Sequence, residues 1–292
     1  MSSIENGIRE GLSFDEYLAL PAISRSEIMS MGACPRKAKL IAEEGPQEQT
    51  AAMLYGSVLH AMLLEPSRVE ELYAFEPAEF AGQRKQPGKT ASSDRAVWRE
   101  QQGSKTVVEY ETAKALKAAE RRFREGADEN VRRIIDDCGS AETVIVWDDE
   151  VTGAKLKARI DCVSTNGRVL ADLKTTSKTA DLVTWKKTVF QYDYHAQAAM
   201  YLDGWKAVTG KLAMWAWIVQ EKDRYGMSAA HVAGPETLEK GRSAYRRRLE
   251  ILLQCRETGQ WPGYVSGKVE PPKWYSDPLI ESNLRAAPKE PF

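Results

Sequence analysis

The chain has 292 residues, of which 42% are hydrophobic, and its 41 Lys and Arg nearly balance its 42 Asp and Glu. This mixture is typical of a globular protein, and the net charge of −1 excludes bulk positive charge as a basis for nucleic-acid binding. The sequence has no apolar run long enough to span a membrane, and its N-terminal segment lacks the apolar core of a secretory signal. Four scattered cysteines without a C-x-x-C pair favour a reducing cytoplasm over a zinc or disulfide framework.

The sequence pattern predicts helices, then a small sheet, then further helices. Ser13 with Glu16, and Ser24 with Glu27, have the spacing of N-terminal capping boxes. In chain order we expect short helices within 13–45, an apolar helix at 50–64, a mobile loop at 76–105, helix at 109–136, strands within 141–175, helix at 180–208, a strand at 213–219, a long basic helix at 235–258 and an irregular tail. This order indicates an α/β or α+β fold, in one domain over residues 1–292.

The candidate chemistry lies in a predicted hairpin whose turn is the Asn-Gly pair at 166–167. Such a pair between β-like runs predicts a two-residue turn in which both positions have positive φ. Antiparallel partners then have numbers that sum to 333, so that Asp161 faces Asp172 and Arg159 faces Lys174. Since residues two apart share a face, all four side chains are expected on one side of the hairpin.

Two opposed carboxylates repel each other unless a cation lies between them. Mg²⁺ binds one or two carboxylates together with water and phosphate, so it is the natural occupant. Lys174 beside it would orient or deprotonate a water, or offset charge on a transition state. Glu142 on the preceding strand is a third candidate carboxylate, but a register slip of one residue would turn it away. The alternative is an exposed salt-bridge ladder, which the apolar flanking residues disfavour.

Four motifs occur in a fixed order along the chain. In combination they resemble the RecE-like (exonuclease VIII) phage and prophage recombination nucleases of the PD-(D/E)XK superfamily, and the C-terminal WPGY and PPKWY segments extend the likeness. The motifs are Ser26 followed by Cys34-Pro35-Arg36, the G-x-x-x-H helix segment Gly56–His60, Asp161 followed by Asp172-Leu173-Lys174, and the Q-x-x-x-Y pair Gln197 and Tyr201.

The resemblance implies a restriction-endonuclease-like core over about 13–275, with a tail at 276–292 and a five-stranded mixed sheet flanked by helices. It further implies a Mg²⁺-dependent 5′→3′ exonuclease, with Mn²⁺ as a substitute, that acts on double-stranded DNA ends and leaves 3′ single strands for annealing. A closed homo-oligomeric ring, trimer or tetramer, and a single-strand annealing protein are the implied partners. A single-strand exonuclease, an endonuclease of the same fold and an inactive DNA-binding module are the alternatives.

The resemblance also assigns roles to individual residues. The metal would be held by His60, Asp161, Asp172 and the backbone carbonyl of Leu173, and Lys174 would be catalytic, with Glu142 as the further candidate. The DNA-binding candidates are Gln197 and Tyr201 from the motif, Lys155, Lys157 and Arg159 from strand alternation, and Tyr194 as a ring that could stack on a base. An iron–sulfur cluster is not expected, because only Cys255 follows the lysine motif where the cluster-bearing relatives have three cysteines.

Overall fold

The computed structural model of the chain describes residues 4–32, 34–45, 49–81 and 93–270. The α-helices are α1 (Phe14–Ala19), α2 (Arg25–Ser30), α3 (Pro35–Glu44), α4 (Ala51–Leu64), α5 (Val69–Leu72), α6 (Ser93–Gln101), α7 (Tyr110–Gly126), α8 (Glu129–Asp136), α9 (Leu182–Gln191), α10 (Tyr194–Thr209) and α11 (Pro235–Thr258). The strands are β1 (Gly7–Arg9), β2 (Ile23–Ser24), β3 (Tyr73–Phe75), β4 (Thr106–Val108), β5 (Cys138–Asp148), β6 (Lys155–Ser164), β7 (Val169–Thr176), β8 (Met214–Glu221) and β9 (Ser228–Val232).

A mixed, mostly antiparallel sheet forms the centre of the fold. Its strand order is β1-β5-β6-β7-β8-β9, and β2 adds a short parallel pairing to β6. β7 and β8 run parallel, whereas the other neighbours along this order are antiparallel. The expected mixed sheet flanked by helices is therefore confirmed. Strands β5 to β9 supply the five expected strands, and within the described residues β1 and β2 enlarge the sheet to seven.

The predicted register of the β6–β7 hairpin is correct, but the predicted turn geometry is wrong. Val163 pairs with Leu170 and Cys162 with Ala171, so partner numbers sum to 333 as expected next to the turn; the strand pairing ends there, short of the predicted Asp161–Asp172 and Arg159–Lys174 pairs. Of the two turn residues, only Gly167 has a positive φ, of 72°. Its N–H donates to the Ser164 carbonyl at 2.8 Å. Asn166 keeps a negative φ and accepts from a backbone N–H with its side chain. A turn followed by a left-handed glycine replaces the mirror-image turn, and it leaves the register unchanged.

Apolar residues fill both faces of the sheet. One cluster lies under α9, α10 and α11, and it contains large fully buried side chains such as Trp215 and Tyr245. The other lies under α4, α7 and α8, with Leu59 and Leu116 fully buried. Gly241 of α11 lets α10 approach closely, because a Cβ there would stand 2.1 Å from the His195 carbonyl oxygen. This close packing holds α10 over β5 and β6, from where Gln197 reaches Asp172 of β7.

Three predicted segments differ from the structure. Residues 93–101 of the expected loop 76–105 form helix α6, because Arg95 and Arg99 bind the buried carboxylate of Glu76; residues 82–92 lie outside the described chain. The helical stretches 109–136 and 180–208 are each two helices. The predicted 276–292 tail also lies outside the described residues, and none of the described helices is long and apolar enough to cross a bilayer.

Candidate active site

Helix α4 brings His60 against the two strands that carry acidic side chains. The helix begins after Thr50, whose hydroxyl accepts a hydrogen bond from the Met53 N–H at 3.2 Å. The His60 ring lies between two carboxylates: Nδ1 is 2.9 Å from Glu142 Oε1, and Nε2 is 2.9 Å from Asp161 Oδ2. His60 belongs to an otherwise apolar helix, but its ring is bound between two carboxylates.

Glu142 has the register that the sequence leaves open. It stands between the pairs Ala141–Cys162 and Thr143–Ile160, and so is level with Asp161. Its φ of 52° lies in the left-handed region, which costs a non-glycine residue about 1 kcal/mol or more. The carboxylate is held in place from two sides, since its other oxygen contacts the guanidinium of Arg159. The backbone strain persists because these contacts fix the side chain at the site.

The two residues of the D-x-K motif form a buried ion pair on β7. Lys174 Nζ lies 2.7 Å and 2.6 Å from the two carboxylate oxygens of Asp172, whose residue surface is only 1% exposed. The amide of Gln197, from α10, donates to the same carboxylate at 2.6 Å. On the neighbouring strand the Asp161 carboxylate accepts from the Leu173 N–H at 2.9 Å. Asp161 thus binds the backbone between Asp172 and Lys174, whose side chains bind each other.

Burial and mutual charge shift the ionisation of these side chains. Burial raises the pKa of Asp172 to about 6, with a further rise from Asp161 and opposing effects from Lys174 and Gln197. Burial also acts to lower the pKa of His60, but the two carboxylates beside it outweigh burial and raise this pKa to about 10. The pKa of Lys174 is raised as well, because its acidic neighbours outweigh burial. Without a metal, both the imidazole and the ammonium are protonated at neutral pH.

The donor set fits a divalent cation. His60, Glu142 and Asp161 each offer one ligand atom, and these atoms lie within 4.8 Å of one another. The protonated His60 ring offsets the negative charge of the Glu142 and Asp161 carboxylates, as a bound cation would. Loss of a proton would free its Nε2 as a metal ligand. Glu142 would then accept from Nδ1, the arrangement that orients metal-binding histidines in proteins. The backbone carbonyl of Leu173 remains a predicted metal ligand.

The predicted DNA-binding track along β6 does not form an exposed surface. Lys157 is 4% exposed, and its ammonium donates to the carbonyls of Tyr17, Leu18 and Leu20, which uses all three of its protons. The prediction that Lys157 binds DNA is wrong. The alternation of side chains along β6 shows which face Lys157 is on, but it does not show that α1 covers that face. Lys155 pairs with Asp148 at 2.7 Å, and Arg159 contacts Glu142 and lies 5.5 Å from the Phe14 ring.

The other predicted DNA-binding residues lie on α10 beside the ion pair. The ring of Tyr194 is 5.1 Å from Lys174 Nζ, and Gln197 holds Asp172 as described above. Tyr201 is one turn further along the helix, where its ring packs edge-on against Trp215 and is 7% exposed. Tyr194 and Gln197 therefore contact the D-x-K residues, whereas Tyr201 has the environment of a core side chain.

Sequence reasoning missed two arginines near the site. Arg25 Nη2 donates to the carbonyl of Tyr192 at 2.8 Å, and Arg248 forms a two-pronged pair with Asp193 at 2.8 Å and 3.2 Å. Together they hold the junction between α9 and α10, which directly precedes Tyr194. No local signal could reveal them, since Arg25 and Tyr192 are 167 residues apart in the chain.

The fold and the matching family model together place the chain in the PDDEXK-like class. The chain belongs to the family described as a PDDEXK-like domain of unknown function (DUF3799), whose profile matches residues 24–273. Its structure is similar to the crystal structure of a protein from Eubacterium rectale described as a "putative exonuclease", with a TM-score of 0.61 and 16% sequence identity over 97% of each chain. At that identity the likeness supports the fold. No curated protein matches the chain.

Proposed function

We propose that this protein is a Mg²⁺-dependent deoxyribonuclease, a RecE-like 5′→3′ exonuclease that degrades one strand from double-stranded DNA ends and leaves 3′ single strands. The observation that carries the proposal is the convergence of His60, Asp161, Asp172 and Lys174, from α4, β6 and β7, on one partly accessible group. An exposed salt-bridge ladder does not account for it, because Asp172 is buried and is also bonded to Gln197 of α10.

The residues of the chain divide the work of hydrolysis in this proposal. A bound Mg²⁺ would supply a Lewis acid and a water of lowered pKa. His60 and Asp161 of the three-residue donor group would hold it together with Asp172, which lies outside that group and now binds Lys174, and Glu142 would keep the imidazole in the required tautomer. The raised pKa of Lys174 favours an ammonium that orients water and offsets charge on the phosphate over one that abstracts a proton. Mn²⁺ would substitute because it accepts the same oxygen and nitrogen donors.

The proposed partners follow from the resemblance and from the charge of the chain. A closed ring, trimer or tetramer, would let a nearly neutral protein line an inner channel with basic side chains and keep acidic ones outside. A single-strand annealing protein would receive the 3′ strand, and the reaction would take place in the cytoplasm. Sedimentation tests the ring: a stable monomer that still digests DNA processively would contradict it.

Digestion of linear duplex DNA labelled at either the 5′ or the 3′ end tests the proposal. We expect release of 5′ label first with Mg²⁺ or Mn²⁺, none in EDTA, and DNA binding without cleavage in Ca²⁺, whose longer and more numerous bonds do not align water and phosphate. Asp172→Ala and Lys174→Ala should each abolish cleavage, and Lys155→Met should not. Cleavage of closed circular duplex would point to an endonuclease, and undiminished activity of either active-site variant would refute the site.

A further inference from the structure

A stack of aromatic rings runs from the protein surface toward the core beside the candidate active site. Tyr192 is its outer member and is 51% exposed. Its ring stacks on Tyr194, with centroids 5.8 Å apart and planes at 28°, and Tyr194 stacks on Trp185 at 5.8 Å and 30°. The buried Trp185 in turn stacks on His231 at 6.4 Å and 21°. Tyr192 is the most exposed ring of the stack, whereas His231 at the other end is partly buried and hydrogen-bonded to the Ala180 carbonyl at 2.8 Å.

The stack passes the residues that would act on a phosphate. Tyr194, its second ring, lies 5.1 Å from the ammonium of Lys174, which is bound to Asp172. The exposed ring is thus one stacking step from the candidate catalytic lysine. A phosphate bound at Lys174 would therefore lie two ring positions from Tyr192, within reach of the base of the same or the adjoining nucleotide. Exposed Lys178 is bonded to Gln191, the residue before Tyr192, at 3.3 Å, and supplies a cation for a flanking phosphate.

The backbone under the outer ring is held in one conformation. Arg25 binds the carbonyl of Tyr192, and Arg248 binds both oxygens of Asp193. Asp193 has a φ of 55°, a left-handed conformation that persists only where surrounding contacts enforce it. These anchors turn the chain sharply between α9 and α10, so that Tyr192 and Tyr194 stack on each other. A ring that is already ordered loses little freedom when it binds a planar ligand.

We propose that Tyr192 is a stacking platform for an unpaired nucleobase at the DNA end, next to the phosphate that is cleaved. This inference rests on the proposed nuclease function and adds a substrate contact to it. A single exposed ring face can bind only a base whose own face is free, which is the case in a single strand or at a frayed end. Because every base has such a face, the contact selects for strand end and unpairing, without selecting for sequence.

The test uses the full chain with duplex DNA that carries 2-aminopurine, a fluorescent base quenched by stacking, at one of the terminal nucleotides. Binding is followed in Ca²⁺ and cleavage in Mg²⁺. We expect Tyr192→Ala to lose the quenching and to weaken DNA binding by about 5- to 150-fold, the usual contribution of one stacked base. Tyr192→Phe keeps the ring and should behave like the wild type. Tyr264→Ala, at a tyrosine that is 72% exposed beyond the end of α11, is the matched control.

The outcomes separate this inference from the function beneath it. Active Tyr192→Ala protein that binds and quenches the probe as the wild type does would overturn the platform and leave the nuclease intact. Equal losses in Tyr192→Ala and Tyr264→Ala would also overturn it. A wild-type protein that neither binds nor cleaves any DNA end would overturn both proposals. Tyr192→Ala should still unfold in one cooperative transition, because Tyr194 and the buried Trp185 stay packed on each other beneath the lost ring.

Discussion

Replacement of Lys157 by methionine distinguishes a structural lysine from a DNA-binding one. The ammonium contacts the carbonyls of Tyr17, Leu18 and Leu20 at 2.9, 2.8 and 2.9 Å, and it lies 5.0 Å from the Tyr17 ring. Methionine keeps the length of the side chain but supplies no donor. The last carbonyls of a helix have no partner within the helix, so in α1 this lysine supplies what the backbone cannot.

The structure sets the size of the expected loss. Two of the three carbonyls keep a second donor, since Tyr17 O accepts from the Leu20 N–H and Leu20 O from the Ala22 N–H. Loss of a hydrogen bond from a charged donor, or an unsatisfied buried acceptor, costs about 1–3 kcal/mol. Removing a charge that is costly to bury offsets part of this cost. We therefore expect Lys157→Met to lower the free energy of unfolding by about 2–4 kcal/mol.

Urea unfolding followed by tryptophan fluorescence measures this change, together with the cleavage rate per folded molecule. The matched control is Lys155→Met, two residues earlier on the same strand, where loss of a partly exposed ion pair costs about 0–1 kcal/mol. Cleavage by the folded Lys157→Met protein should equal that of the wild type. Two results together would refute the reasoning: a Lys157→Met protein as stable as Lys155→Met, and a salt dependence of its DNA affinity that is weaker by about one phosphate contact. Lys157 would then be a DNA-binding residue.

Three further outcomes follow from the ionisation and strain of the site. Because the pKa of metal-free His60 is raised to about 10, Mn²⁺ must displace its proton. Calorimetry should therefore record a Mn²⁺ affinity that rises by up to about tenfold per pH unit below that pKa. A Mn²⁺ affinity that does not change with pH would argue against His60 as a ligand. Gln197→Leu removes a donor that lowers the pKa of Asp172, so the acid limb of the pH–rate profile should move to higher pH, and an unmoved limb would contradict the contact. Thermal unfolding should find Asp193→Gly more stable than Asp193→Ala by about 1 kcal/mol, since only glycine adopts the left-handed backbone freely, and equal stability would exclude strain there.

Short-range patterns predicted much of the local structure. The capping box at the start of α1 has both of its hydrogen bonds, from the Glu16 N–H to the Ser13 hydroxyl and from the Ser13 N–H to the Glu16 carboxylate. The hairpin register followed from one turn, because strand pairing propagates from the residues that close it. The spacing of Asp161, Asp172 and Lys174 predicted that these side chains lie close together, and in the structure Asp161 accepts from the Leu173 N–H while Asp172 binds Lys174.

What the sequence alone determined is therefore many of the longer elements and the pairing next to one hairpin turn, where each partner lies a few residues away. Only the tertiary structure decided which faces were covered. It buried Lys157 beneath α1, carried His60 from α4 to a position between Glu142 and Asp161, and stacked Tyr192 outside Tyr194. Local periodicity reports that a side chain points to one side of a strand, but what it meets there depends on the packing of segments that are distant in the chain and share no local signal.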